Sequence, residues 1–307
     1  MMRKSPVGKR LFLVFLLTLS LLLCGGPSTD HARATEGGGG AYPNGAEDFM
    51  VGALPPPGTY FLNYLTYYTA SKFKGSNGND LMPKFDLDVV ANVFRMVHVT
   101  KQKILGADWA VHAFLPLVYQ DVDMPTRGEV RWGLGDIIVD PIILGWHWKN
   151  FHVTTGLDIY IPSGSYDKGH LANAGRNYWT FEPIFAATFL SDSGIEVSGK
   201  FMYDFNLKNS DTNYHSGEEF HFDYTVGYHI DKQLTLGLGG YYYFQTTEDR
   251  VNGAIVGDGF KGKVLAMGPQ AKYDYKNMSF TLKWQHEFGA ENKPQGDKLW
   301  VKFMYAF

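Results

Sequence analysis

Past residue 34 the chain has no cysteine, no excess of basic residues and no apolar run long enough to cross a membrane as a helix. Each absence removes a class of protein. The single cysteine is Cys24, inside a leader, so the remainder is expected to hold no disulfide and no thiolate metal site. Taking away residues 1–34 removes five basic residues (Arg3, Lys4, Lys9, Arg10, Arg33) and one acidic residue (Asp30), leaving 23 basic and 30 acidic ones. That acidic balance leaves no basic surface on which nucleic acid could bind. A membrane helix needs about 20 apolar residues; the nearest run, Leu11 to Leu23, is shorter and interrupted by Thr18 and Ser20.

The leader has the form of a secretory signal peptide. A basic opening precedes the short apolar run, and Ala32-Arg33-Ala34 is an A-x-A cleavage site, so residues 1–34 are expected to be removed and the mature chain to start at Thr35. Lipid attachment at Cys24 is disfavoured, because Leu23 stands where that processing wants a small residue.

What is abundant is strand-forming: aromatic residues make up 16% of the chain, with 35 glycines. Alternation with period two recurs. Phe220, Phe222, Tyr224, Val226, Tyr228 and Ile230 interleave with Glu219, His221, Asp223, Thr225, Gly227 and His229. The same pattern runs from Ile195 to Asn206, from Phe151 to Ile161 and from Ser279 to Phe288. Each segment suits a tilted membrane strand of about 9–11 residues. The last stretch, Lys298 to Phe307, puts Leu299, Val301, Phe303, Tyr305 and Phe307 on one face. A closing strand must pair with the first strand and meet lipid on its outer face. A terminal Phe behind alternate apolar residues is also a signal of the kind that barrel assembly machinery reads. Phe303, Tyr305 and Phe307 are therefore the candidate barrel-closing residues.

Connections alternate in length. Short ones fall near Leu105–Asp108, Lys149-Asn150, Ser191–Gly194, Asp231–Gln233 and Lys276-Asn277; long ones near Lys74–Lys84, Asp121–Arg131, Pro162–Arg176, Leu207–Gly217, Thr247–Phe260 and Gly289–Asp297. The expected fold is all-β: a closed antiparallel transmembrane β-barrel of about 12 strands over residues 58–307, with short periplasmic turns and long extracellular loops. Tyr241, Tyr242, Tyr243, Trp146 and Trp148 are candidates for interface girdles. Residues 35–57, with a run of glycines at 37–40 and Pro55-Pro56-Pro57-Gly58 at their end, are no strand. They read as a periplasmic tether or, more favourably, as a plug whose Glu47, Asp48, Phe49 and Met50, with Leu54, pack inside the barrel.

With apolar faces outward, the lumen is polar and mostly acidic. Its candidate lining includes Asp136, Asp140, Asp158, Glu182, Lys200, Asp204, His221, Asp223, Lys283 and Glu287. Asp86, Asp88, Glu196, Glu219, Asp274, Lys272, Lys302, His98, His112, His152 and His229 fall on the same faces, and Ile138, Ile142 and Leu144 add an apolar patch. Such charges either form an internal ion-pair network or line a permeation path unfavourable to anions. Arg95 is out of place, on the apolar face of Phe85, Leu87, Val89, Ala91 and Val93; a periplasmic rim or a bulge would accommodate it.

Several stretches resemble one family of outer-membrane proteins, named for a meta-pathway of phenol degradation. They are Gly45–Phe49, Pro55–Tyr60, Gly133–Pro141, Gly175–Pro183 and Asn213–His221, and the likeness runs from about Tyr42 to Phe307. The resemblance implies a bacterial outer-membrane barrel that admits small hydrophobic or aromatic solutes. It brings no site residues with it.

The reading is therefore a non-enzymatic channel in the outer membrane, in contact with its lipid and lipopolysaccharide and assembled by the barrel machinery. It has no cofactor and no metal: His221 and His229 lie roughly 27 Å apart along a strand at about 3.4 Å per residue. One alternative is a structural or adhesive barrel acting through its loops. The other is a barrel phospholipase using His215, Ser216 and Asn213. Adjacent strand residues point to opposite faces, which counts against a catalytic pair there.

Overall fold

The computed structural model describes residues 35–307; the expected signal peptide, its expected cleavage site and Cys24 lie outside the described residues. A single three-residue 3-10 turn, Glu36–Gly38, precedes the strands. The strands are β1 (Gly58–Phe73), β2 (Asp86–Ile104), β3 (Ala107–Met124), β4 (Arg127–Leu134), β5 (Ile137–His147), β6 (Phe151–Ile161), β7 (Thr180–Leu190), β8 (Ile195–Asn206), β9 (Tyr214–His215), β10 (Glu219–His229), β11 (Leu234–Gln245), β12 (Arg250–Val251), β13 (Ala254–Ile255), β14 (Lys263–Tyr275), β15 (Met278–Glu291) and β16 (Pro294–Ala306). β9, β12 and β13 form a small separate sheet in the loops.

The large sheet closes on itself. Around the ring the order is β1, β16, β15, β14, β11, β10, β8, β7, β6, β5, β3 and β2, with β2 returning to β1. β4 and β5 both pair with β3, one along each half of it, and so make one interrupted barrel strand. Among the described residues this gives a closed antiparallel barrel of twelve strands. Closure is by β1 on β16, from Tyr60↔Ala306 to Phe73↔Pro294, and the Phe307 N–H adds a bond to the Thr59 carbonyl at 3.1 Å. Every backbone group in lipid must be paired within the protein, and closure leaves no edge.

Alternation sets the two faces. On β10, Glu219, His221, Asp223 and Thr225 are buried, while Phe220, Phe222 and Tyr224 face outward at partial exposure. Phe201, Phe222 and Tyr242 stack across three neighbouring strands on the outside, with centroids 5.4 and 5.8 Å apart. Cross-strand aromatic pairs of this kind add to burial.

Five sequence expectations are corrected. β2 runs with the opposite phase: Val93, Val97 and Val99 are buried and Arg95 points inward, whereas Asp86 and His98 are exposed and Asp88 meets the exposed hydroxyl of Tyr67. Hydrophobicity cannot set the phase of a strand that is apolar on both faces; the guanidinium can, because lipid offers it no partner. In β5 the register shifts between Val139 and Leu144, so Ile143 is buried at 2% exposure while Ile142 is 53% exposed. Ile142 and Leu144 therefore leave the lumen list; Pro141, unable to donate to the ladder, sits at this bulge. Tyr241 and Tyr243 are fully buried inward residues, and only Tyr242 of that trio faces out. The stretch 121–131 is largely hairpin, β3 continuing into β4. The stretch 289–297 is strand except for Asn292 and Lys293, where Asn292 takes a φ of 52° in a tight turn.

β2 and β3 have 19 and 18 residues. At about 3.4 Å per residue they reach roughly 60 Å, far beyond an apolar band of about 25 Å even when tilted. The β3–β4 hairpin thus projects past the membrane. Glu129 on β4 anchors the 162–179 loop, accepting from the Leu171 and Ala172 N–H groups (2.5 and 3.1 Å) and meeting the His170 ring. Burial would raise this carboxyl, but the His170 contact and the two N–H groups outweigh it and hold it at about 2. A depressed folded value means that the anchor is at full strength above the ordinary carboxylate range and is lost only as pH falls through about 2. Protection of the amides of residues 171 and 172, corrected for the intrinsic chemical rate, is expected to fall as pH falls toward about 2.

Leu238, mid-way along β11 and 54% exposed on the outer face, tests the assignment of faces. Leu238→Arg should cost about 2–4 kcal/mol at the membrane midplane, read as a lower denaturant midpoint in phospholipid vesicles. Thr225→Ser, inward at similar depth, should stay within about 1 kcal/mol of the parent.

Candidate functional site

The site is the lumen, and its most unusual occupant is the chain's own N-terminal segment. Residues 35–57 descend from the long-loop end of the barrel to the short-turn end. At the top, the Glu36 N–H donates to Ser216 Oγ at 3.1 Å and Asn209 Nδ2 donates to the Glu36 carboxylate at 2.7 Å. At mid-height Asp223 accepts from Tyr42 Oη (2.6 Å), Gly45 N (2.8 Å) and Glu47 N (2.9 Å). Lower down, Met50 N donates to Glu196 Oε1 (2.6 Å) and Gly52 N to Thr188 Oγ1 (3.0 Å). Gly58 then opens β1.

The opposite side of the segment is held by cations. Lys283 Nζ donates to the carbonyls of Gly45 and Ala46 at 2.7 Å and of Glu47 at 3.0 Å, and Lys298 Nζ to that of Asn44 at 3.0 Å. Asp48 pairs with Lys302 at 2.7 Å and Lys283 at 3.5 Å; Glu47 pairs with Arg95 at 3.1 Å. Over residues 42–52, apart from Thr154 Oγ1, which donates to the Gly52 carbonyl, the division is consistent. Wall acceptors on β7, β8 and β10 take the segment's N–H groups; wall donors on β15 and β16 hold its carbonyls. In the ring, β11 and β14 separate these two groups of strands on one side, and β6, β5, β3, β2 and β1 separate them on the other.

Apolar contacts complete the fit. The Phe49 ring rests on Gly227 and Gly237, where an added Cβ would lie 2.5 and 2.9 Å from Cε1. Leu54 sits on Gly145 with a corresponding 2.7 Å approach. Only glycine allows such contact of ring and backbone.

The remaining lumen candidates occupy defined places. Asp136 accepts from Gly164 N and Arg176 N and ties down the 162–179 loop. Asp140 accepts from Ile142 N and Leu157 N at the β5 bulge. Asp158 meets His112 at 2.6 Å and Lys200 at 3.6 Å. Glu287 accepts from Tyr68 Oη at 2.7 Å and Gly296 N at 2.8 Å, and also meets the Tyr241 hydroxyl. Glu182, Asp204 and His221 form a separate buried group, one side chain from each of β7, β8 and β10. Arg95, Lys298, Thr188 and Trp300 are site residues that sequence reasoning missed. The signal for Lys298 was its sharing one face of β16 with Trp300 and Lys302.

His215 and Ser216 are apart in role. His215 Nε2 meets the Asn206 carbonyl at 2.9 Å, while buried Ser216 receives the Glu36 N–H.

Residues 70–303 match the family model described as "Putative MetA-pathway of phenol degradation". The crystal structure of the COG4313 outer membrane channel from Pseudomonas putida F1 superimposes with a TM-score of 0.76 at 16% identity, covering 84% of this chain and 98% of that one. The CymD monoaromatic hydrocarbon channel aligns at a TM-score of 0.40 and 8% identity, over 82% and 89% of the two chains. The KdgM porin gives 0.40 and 8%, over 81% and 99%. No curated protein matches. The first comparison establishes the fold of an outer-membrane channel; the other two scores are too low to support an argument.

Lys283→Met tests the cation side of the site. It removes one donor from three buried carbonyls, and each buried group left unpaired costs about 1–3 kcal/mol. Amide exchange over residues 44–48 should rise by about ten-fold or more, the factor carried by about 1.4 kcal/mol, while β7 keeps its protection.

Proposed function

The chain belongs to the MetA-pathway phenol-degradation family, and on that premise we propose that it is an outer-membrane channel for small hydrophobic or aromatic solutes whose lumen is plugged by residues 35–57. The observation that carries the reading is the set of bonds from both walls to residues 42–52, which spans the lumen at mid-height. A barrel filled in this way is no open pore for bulky hydrophilic solutes. The family description and the aromatic lining supplied by Tyr42, Tyr60, Tyr64, Tyr241, Tyr243 and Trp300 support a compact, poorly charged solute. The acidic groups of the β6–β10 wall work against anions.

A second feature bears on the route. The β5–β6 ladder ends at Ile137↔Ile161, and among the described residues β4 pairs only with β3. Above that point the wall is completed by loop residues, with the Ser165 N–H donating to the Leu134 carbonyl at 2.7 Å and Gly135 N to the Pro116 carbonyl at 2.9 Å. A wall closed by loop contacts is easier to part than a strand ladder.

Planar bilayer recording and vesicle uptake test the reading together. The full barrel should pass little ionic current and admit phenol faster than a sugar of several rings. Deleting residues 40–54 should raise the conductance severalfold and remove the discrimination. Equal entry of phenol and the large sugar into vesicles carrying the intact barrel would overturn the proposal.

A further inference from the structure

The geometry points to a buried binding site for a first-row divalent transition-metal ion, formed by Glu182 of β7, Asp204 of β8 and His221 of β10. The three side chains come from neighbouring strands and converge in the lumen; one ligand atom from each lies within 4.8 Å of the other two. His221 Nε2 is 3.3 Å from Asp204 Oδ2 and 3.6 Å from Glu182 Oε2. Donor atoms held at about 2.0–2.2 Å around a tetrahedral zinc ion stand roughly 3.3–3.6 Å apart. Distances of this size are too long for good hydrogen bonds and right for atoms sharing an ion.

The bonding of the group gives an independent reason. His221 is 1% exposed and neither ring nitrogen makes a hydrogen bond; both oxygens of fully buried Asp204 and Glu182 Oε1 find no donor outside the group, and the two carboxyls face each other. Buried polar atoms ordinarily find partners, and a buried carboxylate without compensation is costly. The nearest cation, Lys200, lies 3.6 Å from Asp158 and 3.9 Å from Glu182 Oε1, and among the described residues no Lys or Arg forms an ion pair with Asp204. The neighbouring group of His112, Asp140 and Asp158 lacks this deficit. His112 there meets Arg95 and Asp158 through its two nitrogens, and Asp140 holds two backbone N–H groups.

One imidazole with two carboxylates favours a borderline ion such as Zn2+ over Mg2+ or Ca2+, which prefer oxygen alone. The surroundings orient the ligands: Tyr160 Oη donates to Glu182 Oε2 at 3.1 Å, and the Tyr42 ring stacks on His221 with centroids 5.0 Å apart. Because Tyr42 belongs to the N-terminal segment and covers the imidazole, the ion enters while the barrel folds and stays once the segment is seated. The site stands whether or not the barrel carries aromatic solutes. Its ligand residues are 22 and 17 positions apart in the chain, so no local spacing marks it.

The full barrel would be refolded in detergent with Zn2+ or with EDTA, freed of loose metal, and assayed by elemental analysis and thermal unfolding. The expected result is about one tightly held zinc per chain and a raised unfolding temperature in the zinc-refolded protein, with both lost in His221→Gln and Asp204→Asn and kept in Asp140→Asn. X-ray absorption should report a mixed nitrogen and oxygen shell. Zinc retention by the parent no greater than by His221→Gln would overturn the site, as would Asp204→Asn raising stability in EDTA as much as zinc does in the parent, the mark of a carboxyl pair sharing a proton. If either variant fails to fold, parent protein refolded in zinc and in EDTA still decides: equal zinc content and equal unfolding temperature refute the site.

Discussion

A charge placed inside a membrane barrel must find its counter-charge inside the same barrel, and most of this structure follows from that constraint. Lipid on the outside cannot help, and the inward groups such as Lys283 and Asp223 are buried from solvent. Lys283 shows the solution. Its ammonium is 1% exposed, yet it meets three backbone carbonyls and Asp48. Asp223 on β10 is its counterpart, accepting from three donors. Each would be costly alone. Together they make a polar wall on either side of one extended segment.

That arrangement also fixes how the segment lies. Its N–H groups face acceptors on β7, β8 and β10, and its carbonyls face ammonium groups on β15 and β16. Rotation by half a turn about its own axis would set carbonyls against Asp223 and N–H groups against Lys283. The wall charges thus act as a register for the segment, as hydrophobic patterning does for a strand in a sheet.

Much of the barrel was legible because period two is a strong signal where one face is polar. β8 and β10 alternate so cleanly that inward Asp204, His221 and Asp223 can be read directly. The signal fails for physical reasons elsewhere. β2 is apolar on both faces because its inward Val93, Val97 and Val99 pack in one cluster with Tyr60, Leu62 and Tyr64 of β1, so hydrophobicity does not distinguish inside from outside. The misplaced Arg95 was the better guide: a guanidinium with no partner in lipid belongs in the lumen, where Glu47, Tyr64 and His112 wait for it. In β5 a bulge shifts the phase within one strand, which no fixed period can represent. The divalent-ion group was invisible for another reason. Its members are adjacent only through the pairing of β7 with β8 and β8 with β10.

The distribution of bonds along residues 35–57 also bears on how a passage could open. Freeing residues 42–48 would strip Asp223, Lys283 and Asp48 of their partners at once, and a buried charge left alone is far more costly than a lost neutral bond. Below them the holding is graded. Met50 still donates to a carboxylate, but Gly52 is held by the hydroxyls of Thr188 and Thr154, each neutral bond being worth only about 0.5–1.5 kcal/mol. The bonds to the segment are therefore individually weaker below mid-height, although Gly58 ties that end into β1. A solute that follows the lumen can use the lower part with little cost, but to pass the middle it must either compensate the two charged walls or go around them. A small aromatic solute carries no charge with which to compensate them. For the solute class proposed above, parting the loop-closed portion of the wall above Ile137 and Ile161 would break a few backbone bonds and strand no buried ion.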